Sequence, residues 1–294
     1  RLMKKVIIDA DTGADDAVAL LMAYRNLAKE NILGVTLVSG NVPLDQAVLN
    51  TIYVNELCEV DIPIYKGANK PLNREYLEVF DSKTATNIAL SYTNESTSAQ
   101  HVHGIDGLGD IGLSPINKEV EAKTADEFYK EVLENETDLE IVTLGPLTNV
   151  ANFITKYPES FLKLKRVVIM GGAANTVGNV TPAAEYNIWC DPEAADIVFN
   201  SGHPDITMVG WELCRGTANL TEEEMEHVYS FKTSKGDFAI DCNKHALESS
   251  QTWLGDPGLG LPLKHLQRSD RLHLCVDLRD HGLHLLLLLE QADV

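Results

Sequence analysis

Four carboxylates lie close together near the start of the chain, within the eight residues from Asp9 to Asp16. An apolar run over 6–8 precedes them, and a helical pattern begins at about Asp15. Like charges this close raise one another's pKa unless a cation or a helix amino terminus offsets them. The helix dipole stabilises an exposed carboxylate by only about 0.3–1 kcal/mol. A hard divalent cation meets the need better, and Ca²⁺ takes six to eight oxygen ligands.

Two other interpretations of this acidic segment compete with a cation site. A capped helix with an acidic first turn accounts for Asp15 and Asp16, but Asp9 and Asp11 precede the helix and are not needed as caps. Haloacid-dehalogenase-type phosphatases also place an Asp-x-Asp motif after a first strand. Their motif has Thr or Val two positions after the second Asp, where this chain has Gly13. The cation site is therefore the favoured interpretation.

The elements that must position these side chains alternate between strand and helix along the first two-thirds of the chain. Strands are predicted over 6–8, 33–38, 62–65, 139–144, 167–170 and 206–209, and helices over 15–24, 46–57, 149–154 and 192–199. Continuous apolar strands with intervening helices indicate an α/β fold, with a mostly parallel, Rossmann-like central sheet and helices on both faces. Ligands bind such sheets beyond the carboxyl ends of the strands, so chemistry-bearing residues should follow the strands directly.

Polar and glycine-rich segments do follow the later strands. They are SGN over 39–41, HVHGIDGLGD over 101–110, TLGPLTN over 143–149, MGG over 170–172, GN over 178–179, EYN over 185–187 and DPE over 191–193. Together with DADTGADDA over 9–17, they resemble the signature segments of the nucleoside hydrolases in order and spacing. The resemblance extends over about residues 4 to 215 and implies the nucleoside hydrolase fold.

The resemblance implies an enzyme that uses Ca²⁺ to hydrolyse the N-glycosidic bond of ribonucleosides, giving ribose and free base. Asp11 and Asp16 would hold the ion with the backbone carbonyl of Leu144, and Asp11 would activate the metal-bound water. The residues implied to contact the small-molecule ribonucleoside are Asp15, Asn41, His103, Met170, Asn179, Glu185 and Asn187. For His103, which lies in a glycine-rich loop, a solvated position without function is an equal alternative.

The overall composition agrees with a small-molecule partner. Acidic residues outnumber basic ones by 44 to 24, and the formal net charge of −20 would repel nucleic acid and anionic membranes. The leucine-rich run over 285–289 is far too short to span a bilayer. Five scattered cysteines without a CxxC pair favour a reducing, cytoplasmic compartment, with secretion left open. The resemblance further implies a homodimer or homotetramer.

The last part of the chain departs from the family pattern. Family members have one more metal-ligand Asp near the carboxyl terminus, and none follows Gly258–Pro262 here, although Asp256 and Asp270 lie nearby. The composition also changes abruptly, since 263–294 contain no Ile, Phe, Tyr, Thr or Asn. We therefore predict a nucleoside hydrolase-like domain over 1–262 and a tail over 263–294 of frameshifted or alternatively spliced origin. The alternative function is an inactive or non-catalytic relative that binds ribosides or calcium.

Overall fold

A seven-stranded parallel sheet organises the part of the chain that the structure describes. The structure is a computed structural model, and it describes residues 5–72, 99–115, 119–214 and 222–247. The strands are β1 (Lys5–Ala10), β2 (Ile32–Leu37), β3 (Ile64–Lys66), β4 (Glu121–Thr124), β5 (Leu139–Thr143), β6 (Arg166–Met170) and β7 (Ile206–Val209). Their order is β4-β3-β2-β1-β5-β6-β7, and every neighbouring pair is parallel.

Helices cover both faces of this sheet. They are α1 (Ala14–Asn26), α2 (Leu44–Leu57), α3 (Gln100–His103), α4 (Ala125–Asn135), α5 (Thr148–Lys156), α6 (Pro158–Phe161), α7 (Tyr186–Cys190), α8 (Pro192–Phe199), α9 (Glu222–Ser230) and α10 (Ser234–Asp241). One apolar layer contains α1, α2, α9 and α10, and the other contains α4, α5, α6 and α8. The α/β class predicted from the sequence is confirmed, and within the described residues the sheet is entirely parallel.

Strand β1 supplies side chains to both layers, because successive residues of a strand point to opposite faces of the sheet. Ile8 and Ala10 pack into the layer of α1 and α2, whereas Ile7 packs into the layer of α4 and α5. Asp9 lies on the same face as Ile7, where the hydroxyl of Tyr129 in α4 donates to it. The alternation therefore buries one carboxylate on the face of the sheet opposite to α1.

The chain connections diverge at the centre of the sheet. Strands β2, β3 and β4 extend to one side of β1, and β5, β6 and β7 extend to the other. In open parallel sheets such a reversal of strand order leaves a crevice at the carboxyl ends of the central strands. The loops after β1, β2, β5 and β6 all begin at this edge. The fold therefore directs the acidic segment and the later glycine-rich segments to one crevice.

Several elements differ from the sequence prediction, and three of them lie in the sheet or directly beside it. The patterns predict neither β4 nor α4, and all four residues of β4 are exposed, so no apolar alternation marks that strand. Helix α4 begins at a capping box formed by Thr124 and Glu127. The third strand begins at Ile64, two residues later than predicted, because Pro63 has no N–H to donate to a neighbouring strand.

Several expectations are not tested by the described residues. None of the described helices combines the length and the apolar character that crossing a bilayer requires. Among the described cysteines, Cys58 and Cys242 have free thiols, and these do not decide the compartment. The tail predicted over 263–294, with the nearby Asp256 and Asp270, lies outside the described residues.

Candidate active site

The loop after β1 contains a buried carboxylate, Asp11, that is enclosed by two glycines of neighbouring loops. Asp11 is 0% exposed, and its Oδ2 accepts a hydrogen bond from the backbone N–H of Asn41 in the loop after β2. A methyl carbon at Gly40 would lie 2.0 Å from Oδ2, and one at Gly145 after β5 would lie 2.8 Å from Oδ1. Oδ1 is buried and has no hydrogen-bond partner among the described residues. The chain thus fixes Asp11 and leaves one of its oxygens available to a ligand.

Asp16 lies beside Asp11 in the first turn of α1. It is also buried, and its Oδ2 accepts a hydrogen bond from the backbone N–H of Asp11 at 3.1 Å. Burial raises the pKa of both carboxyls, and the charges of Asp11 and Asp15 raise the pKa of Asp16 further. Two adjacent buried carboxylates of this kind favour the binding of a cation from outside the chain.

Asp9, two residues earlier, is held in a different environment. Its Oδ2 accepts hydrogen bonds from the Thr36 hydroxyl at 2.6 Å, the Tyr129 hydroxyl at 2.7 Å and the Asn149 amide at 2.7 Å. Its Oδ1 is buried without a hydrogen-bond partner among the described residues. Burial raises the pKa of Asp9 to about 6, although these three hydrogen bonds oppose the rise. Asp9 therefore braces β1 against β2, α4 and α5, beneath the crevice.

The side-chain amide of Asn187 joins the loops after β5 and β6. Its Nδ2 donates to the carbonyl oxygen of Leu144 at 2.7 Å and to that of Met170 at 3.1 Å, and it lies 3.2 Å from the Met170 sulfur. Leu144 immediately precedes Gly145, which packs against Asp11. The carbonyl predicted to bind the ion is therefore close to the predicted carboxylate ligand.

Glu185 caps the first turn of α7 from within the same crevice. Its Oε1 accepts a hydrogen bond from the backbone N–H of Asn187, and its Oε2 accepts from the N–H groups of Gly172 and Ile188. Burial raises the pKa of Glu185, the backbone hydrogen bonds oppose the rise, and the charge of Asp15 adds to it. The charge of Asp15 therefore acts on Glu185, although the two residues belong to the loops after different strands.

Asn179 and His103 lie at the margins of the crevice. Asn179 is exposed, and its Oδ1 accepts a hydrogen bond from the backbone N–H of Tyr186 at 2.8 Å. His103 is buried, its Nδ1 accepts from the backbone N–H of Ala14 at 3.2 Å, and this atom lies 3.8 Å from Asp15 Oδ1. The side chain of His103 is therefore not solvated, and its contact with the ribonucleoside stays a prediction.

All the residues predicted for the site lie at one edge of the sheet. Five of them surround the start of α1: Asp11, Asp15, Asp16, Asn41 and His103. Four lie near the ends of β5 and β6: Leu144, Met170, Glu185 and Asn187. Asn179 lies at the rim of the crevice. Within the described ranges, no three or more His, Cys, Asp or Glu side chains form a ready-made metal site. The predicted ligand set consists of two carboxylates and one carbonyl, and the individual roles remain predictions.

Two supporting residues received no role from the sequence. Asn149 accepts a hydrogen bond from the backbone N–H of Ala68 and donates to Asp9, which ties the loop after β3 to the centre of the sheet. Asp191 caps α8 and accepts from the Thr148 hydroxyl at 2.6 Å. Both lie in segments that resemble the family signatures, and this signal marks them as supports of the site.

Comparison with known proteins identifies the family. A family model described as inosine-uridine preferring nucleoside hydrolase matches residues 6–276. The chain belongs to this nucleoside hydrolase family. The resemblance inferred from the signature segments is thereby confirmed, and the match extends 14 residues into the tail predicted over 263–294.

Individual nucleoside hydrolases agree with this assignment. Uridine nucleosidase 1 of Arabidopsis thaliana is 42% identical over 212 residues, which are 70% of this chain and 56% of that protein. A solved plant nucleoside hydrolase has a TM-score of 0.73 and 29% identity, covering 92% of this chain and 76% of its own. A solved purine-preferring ribonucleoside hydrolase from Gardnerella vaginalis has a TM-score of 0.70 and 31% identity, covering 85% and 74%.

The relatives are longer than this chain, and their names refer to different nucleoside bases. The chain spans between 56% and 61% of the length of the curated sequence relatives that it matches. One similar nucleoside hydrolase is named for uridine, and another is described as purine-preferring. Family membership therefore leaves the base preference of this chain open.

Proposed function

We propose that this nucleoside hydrolase catalyses the calcium-dependent hydrolysis of the N-glycosidic bond of ribonucleosides, giving ribose and free base. Family membership and the names of the similar proteins support this reaction class. The observation that carries the proposal is the Asp11 carboxylate. It is enclosed by Gly40 and Gly145, and its buried Oδ1 has no hydrogen-bond partner in the described part of the chain.

The donor atoms at the crevice fit a calcium ion. Asp11 and Asp16 offer carboxylate oxygens, and the Leu144 carbonyl, which accepts from Asn187, has a second lone pair. Hard oxygen donors of this kind are the ligands that Ca²⁺ prefers, and its charge offsets the repulsion between the two buried carboxylates. When bound, calcium would orient the ribose hydroxyls and lower the pKa of the attacking water.

Asp11 is proposed as the catalytic base. Its Oδ1 accepts a proton from the attacking water while the water oxygen bonds to the ribose C1′ and the bond from C1′ to the base nitrogen breaks. The electron pair of the broken bond goes to the base nitrogen, which takes up a proton from solvent, and Asp11 then returns its proton to solvent. Positive charge develops on the ribose ring during this step, and the carboxylates of Asp15 and Glu185 stabilise it. The other proposed substrate contacts are Asn41, His103, Met170, Asn179 and Asn187. The side-chain amides of the three asparagines can both donate to and accept from sugar hydroxyls.

Ribose release from uridine and inosine, with calcium in excess or with EDTA, tests this proposal. We expect release with calcium and its loss in EDTA. Asp11→Ala should lower kcat by about 10³-fold. The matched control is Asp45→Asn in the first turn of α2, where the exposed carboxylate pairs with Lys66, and it should leave the rate unchanged. A chain that binds calcium but releases no ribose would refute the enzymatic function and support a non-catalytic relative.

The missing Asp near the carboxyl terminus motivates that alternative, and its position lies outside the described residues. Two carboxylates and one carbonyl remain available in the crevice. Calcium titration by calorimetry isolates ion binding from catalysis. Asp16→Ala should abolish binding, whereas Asp45→Asn should retain it; equal binding by wild type and Asp16→Ala would contradict the proposed ligands.

We also propose that the chain acts on a small-molecule ribonucleoside as a homodimer or homotetramer in the cytoplasm. The formal charge of −20 supports the absence of nucleic acid and anionic membrane among its partners. Sedimentation equilibrium tests the oligomeric state, and a monomer at micromolar concentration would refute it. We expect no binding to DNA or to anionic vesicles at any salt concentration.

A further inference from the structure

A cavity of about 360 Å³ lies on the α1 side of the sheet, between the last turns of α1 and α2 and the first turn of α10. Tyr24 of α1, Cys58 after α2 and Lys235 of α10 contribute to its walls. Tyr24 follows Asp16 by eight residues in the same helix, which places it about 12 Å farther along the helix axis. The cavity is therefore separate from the crevice at the carboxyl ends of the strands.

The walls combine an apolar interior with cationic side chains. The apolar contribution comes from Leu21, Met22, Leu27 and Val60. The volume falls in the range of small-molecule sites, which are mostly apolar and carry a few polar groups that fix the ligand. These properties indicate a ligand with an apolar body.

Three cationic side chains, Arg25, Lys29 and Lys235, line the same cavity, and no Asp or Glu is among its lining residues. This is unusual in a chain that has 44 acidic and only 24 basic residues. Burial raises the pKa of the Cys58 thiol to about 11, and the charges of Lys235 and Lys29 both oppose the rise. Lys29 Nζ also lies 3.3 Å from the carbonyl oxygen of Glu59. The ammonium groups of Lys29 and Lys235 therefore both lie near Cys58. Their positive charges favour the binding of an anion in this part of the cavity.

Tyr24 adds an unused hydrogen-bonding group. Its side chain is 6% exposed, and its buried hydroxyl has no partner among the described residues. Burial and the nearby Cys58 raise the pKa of Tyr24 far above its usual range, so the hydroxyl keeps its proton. Buried hydroxyls normally have a hydrogen-bond partner, and a ligand in the cavity would supply one after a small movement of the wall.

We propose that this cavity is a second binding site, for a small phosphate monoester with an apolar or aromatic body. A phosphate monoester carries a charge of about −1.5 to −2 at neutral pH. The ammonium groups of Lys29 and Lys235 match this charge better than they match that of a single carboxylate. The body would occupy the space beside Leu21 and Met22. The site is independent of the proposed hydrolysis, although α1 physically connects it to Asp15 and Asp16.

Calorimetry with phenyl phosphate on the full chain tests the site. We expect phenyl phosphate to bind at least tenfold more tightly than inorganic phosphate, which lacks the body, or benzyl alcohol, which lacks the charge. The double variant Lys29→Gln/Lys235→Gln should weaken binding about twentyfold. Lys163→Gln removes an exposed lysine between α6 and β6, on the other side of the sheet, and should leave the affinity unchanged.

Two further measurements identify the kind of phosphate ester that binds and separate this second site from the proposed hydrolysis. Uridine 5′-monophosphate should bind more tightly than ribose 5-phosphate if the body is aromatic, and the reverse order would assign a sugar phosphate. Asp11→Ala should retain phenyl phosphate binding even though it loses hydrolysis. Absence of binding up to about 10 mM, or an affinity that the double lysine variant does not change, would overturn the second site whatever the outcome for hydrolysis.

Discussion

The fold surrounds Asp9 and Asp11, two residues apart in the chain, with different kinds of partner. Helices α4 and α5 and strand β2 provide three side-chain donors to Asp9 Oδ2. Asp11 instead faces loop glycines and the carboxylate of Asp16, and it accepts a hydrogen bond from one backbone N–H, that of Asn41; each aspartate also has one buried oxygen without a partner among the described residues. Side chains of the sheet and its helices thus hold the first carboxylate, whereas the second lies beside another carboxylate at the crevice, where we propose that a cation binds. Burial alone would not distinguish these roles, because both side chains are 0% exposed.

The largest expected effect is on stability, from removing the carboxylate that the chain stabilises. Asp9→Ala leaves the Asn149 amide and the Tyr129 and Thr36 hydroxyls without their shared acceptor, so it should lower the free energy of unfolding by about 3 kcal/mol. Urea denaturation measures this change. The exposed Asp45→Ala should stay within about 0.5 kcal/mol of wild type, and an equally small loss for Asp9→Ala would erase the contrast with Asp11.

Calcium should stabilise the crevice around Asp11 by a comparable amount. At a calcium concentration of about 100 times Kd, the free energy of unfolding should exceed that in EDTA by about 2.7 kcal/mol. Thermal denaturation with and without EDTA measures the increment. Asp16→Ala should remove it and Asp45→Asn should keep it; melting curves that coincide with and without the ion would count against the calcium site.

A substitution that displaces Asp11 without removing it should mainly affect activity. In Gly40→Ala, the new methyl carbon would meet Asp11 Oδ2 at 2.0 Å and Pro146 Cδ at 2.8 Å, so the carboxylate must move. A displacement of about 1 Å in a catalytic group can cost about 10²-fold in rate. Steady-state kinetics should show this loss in kcat. Gly112→Ala would not be a suitable control, because Gly112 has a φ of 76°, a backbone conformation that favours glycine over alanine. Asp45→Asn serves as the control instead.

The smallest expected effect compares two buried tyrosines. Tyr129→Phe removes a hydroxyl that donates to Asp9 and should lower the free energy of unfolding by about 1 kcal/mol. Tyr24→Phe removes a hydroxyl that has no partner in the described residues, so it should raise the free energy of unfolding by up to about 1 kcal/mol. Paired urea titrations measure the difference. Losses of equal size in both variants would indicate that the two hydroxyls are equally satisfied.

The sequence predicted the elements that carry a strong apolar pattern. Strand β1 and helix α1 were recognisable because their apolar runs flank the acidic segment, and the position of the site followed from the parallel order of the strands. Strand β4 was missed because all four of its side chains are exposed. Tyr129 was missed because a tyrosine within an amphipathic helix gives no sign that its hydroxyl reaches Asp9.

The sequence predicted which residues lie together at this edge of the sheet, but not their contacts with one another. The signature segments named Leu144 and Asn187, but only the fold shows that the amide of one donates to the carbonyl of the other. Long-range contacts of this kind depend on how loops from separate strands approach each other, which local patterns do not encode. The burial of His103 against the start of α1 was unpredictable for the same reason.

The alternation of side chains along β1 makes this strand intolerant of changes in its length. Ile8 and Ala10 face one layer, and Ile7 and Asp9 face the other. Inserting or deleting one residue upstream of Asp9 would exchange the two faces. The carboxylate would then enter the hydrocarbon layer of α1, and an aliphatic side chain would occupy the place among the donors. Insertions should therefore be tolerated in the surface connections of this protein and rejected within these six residues.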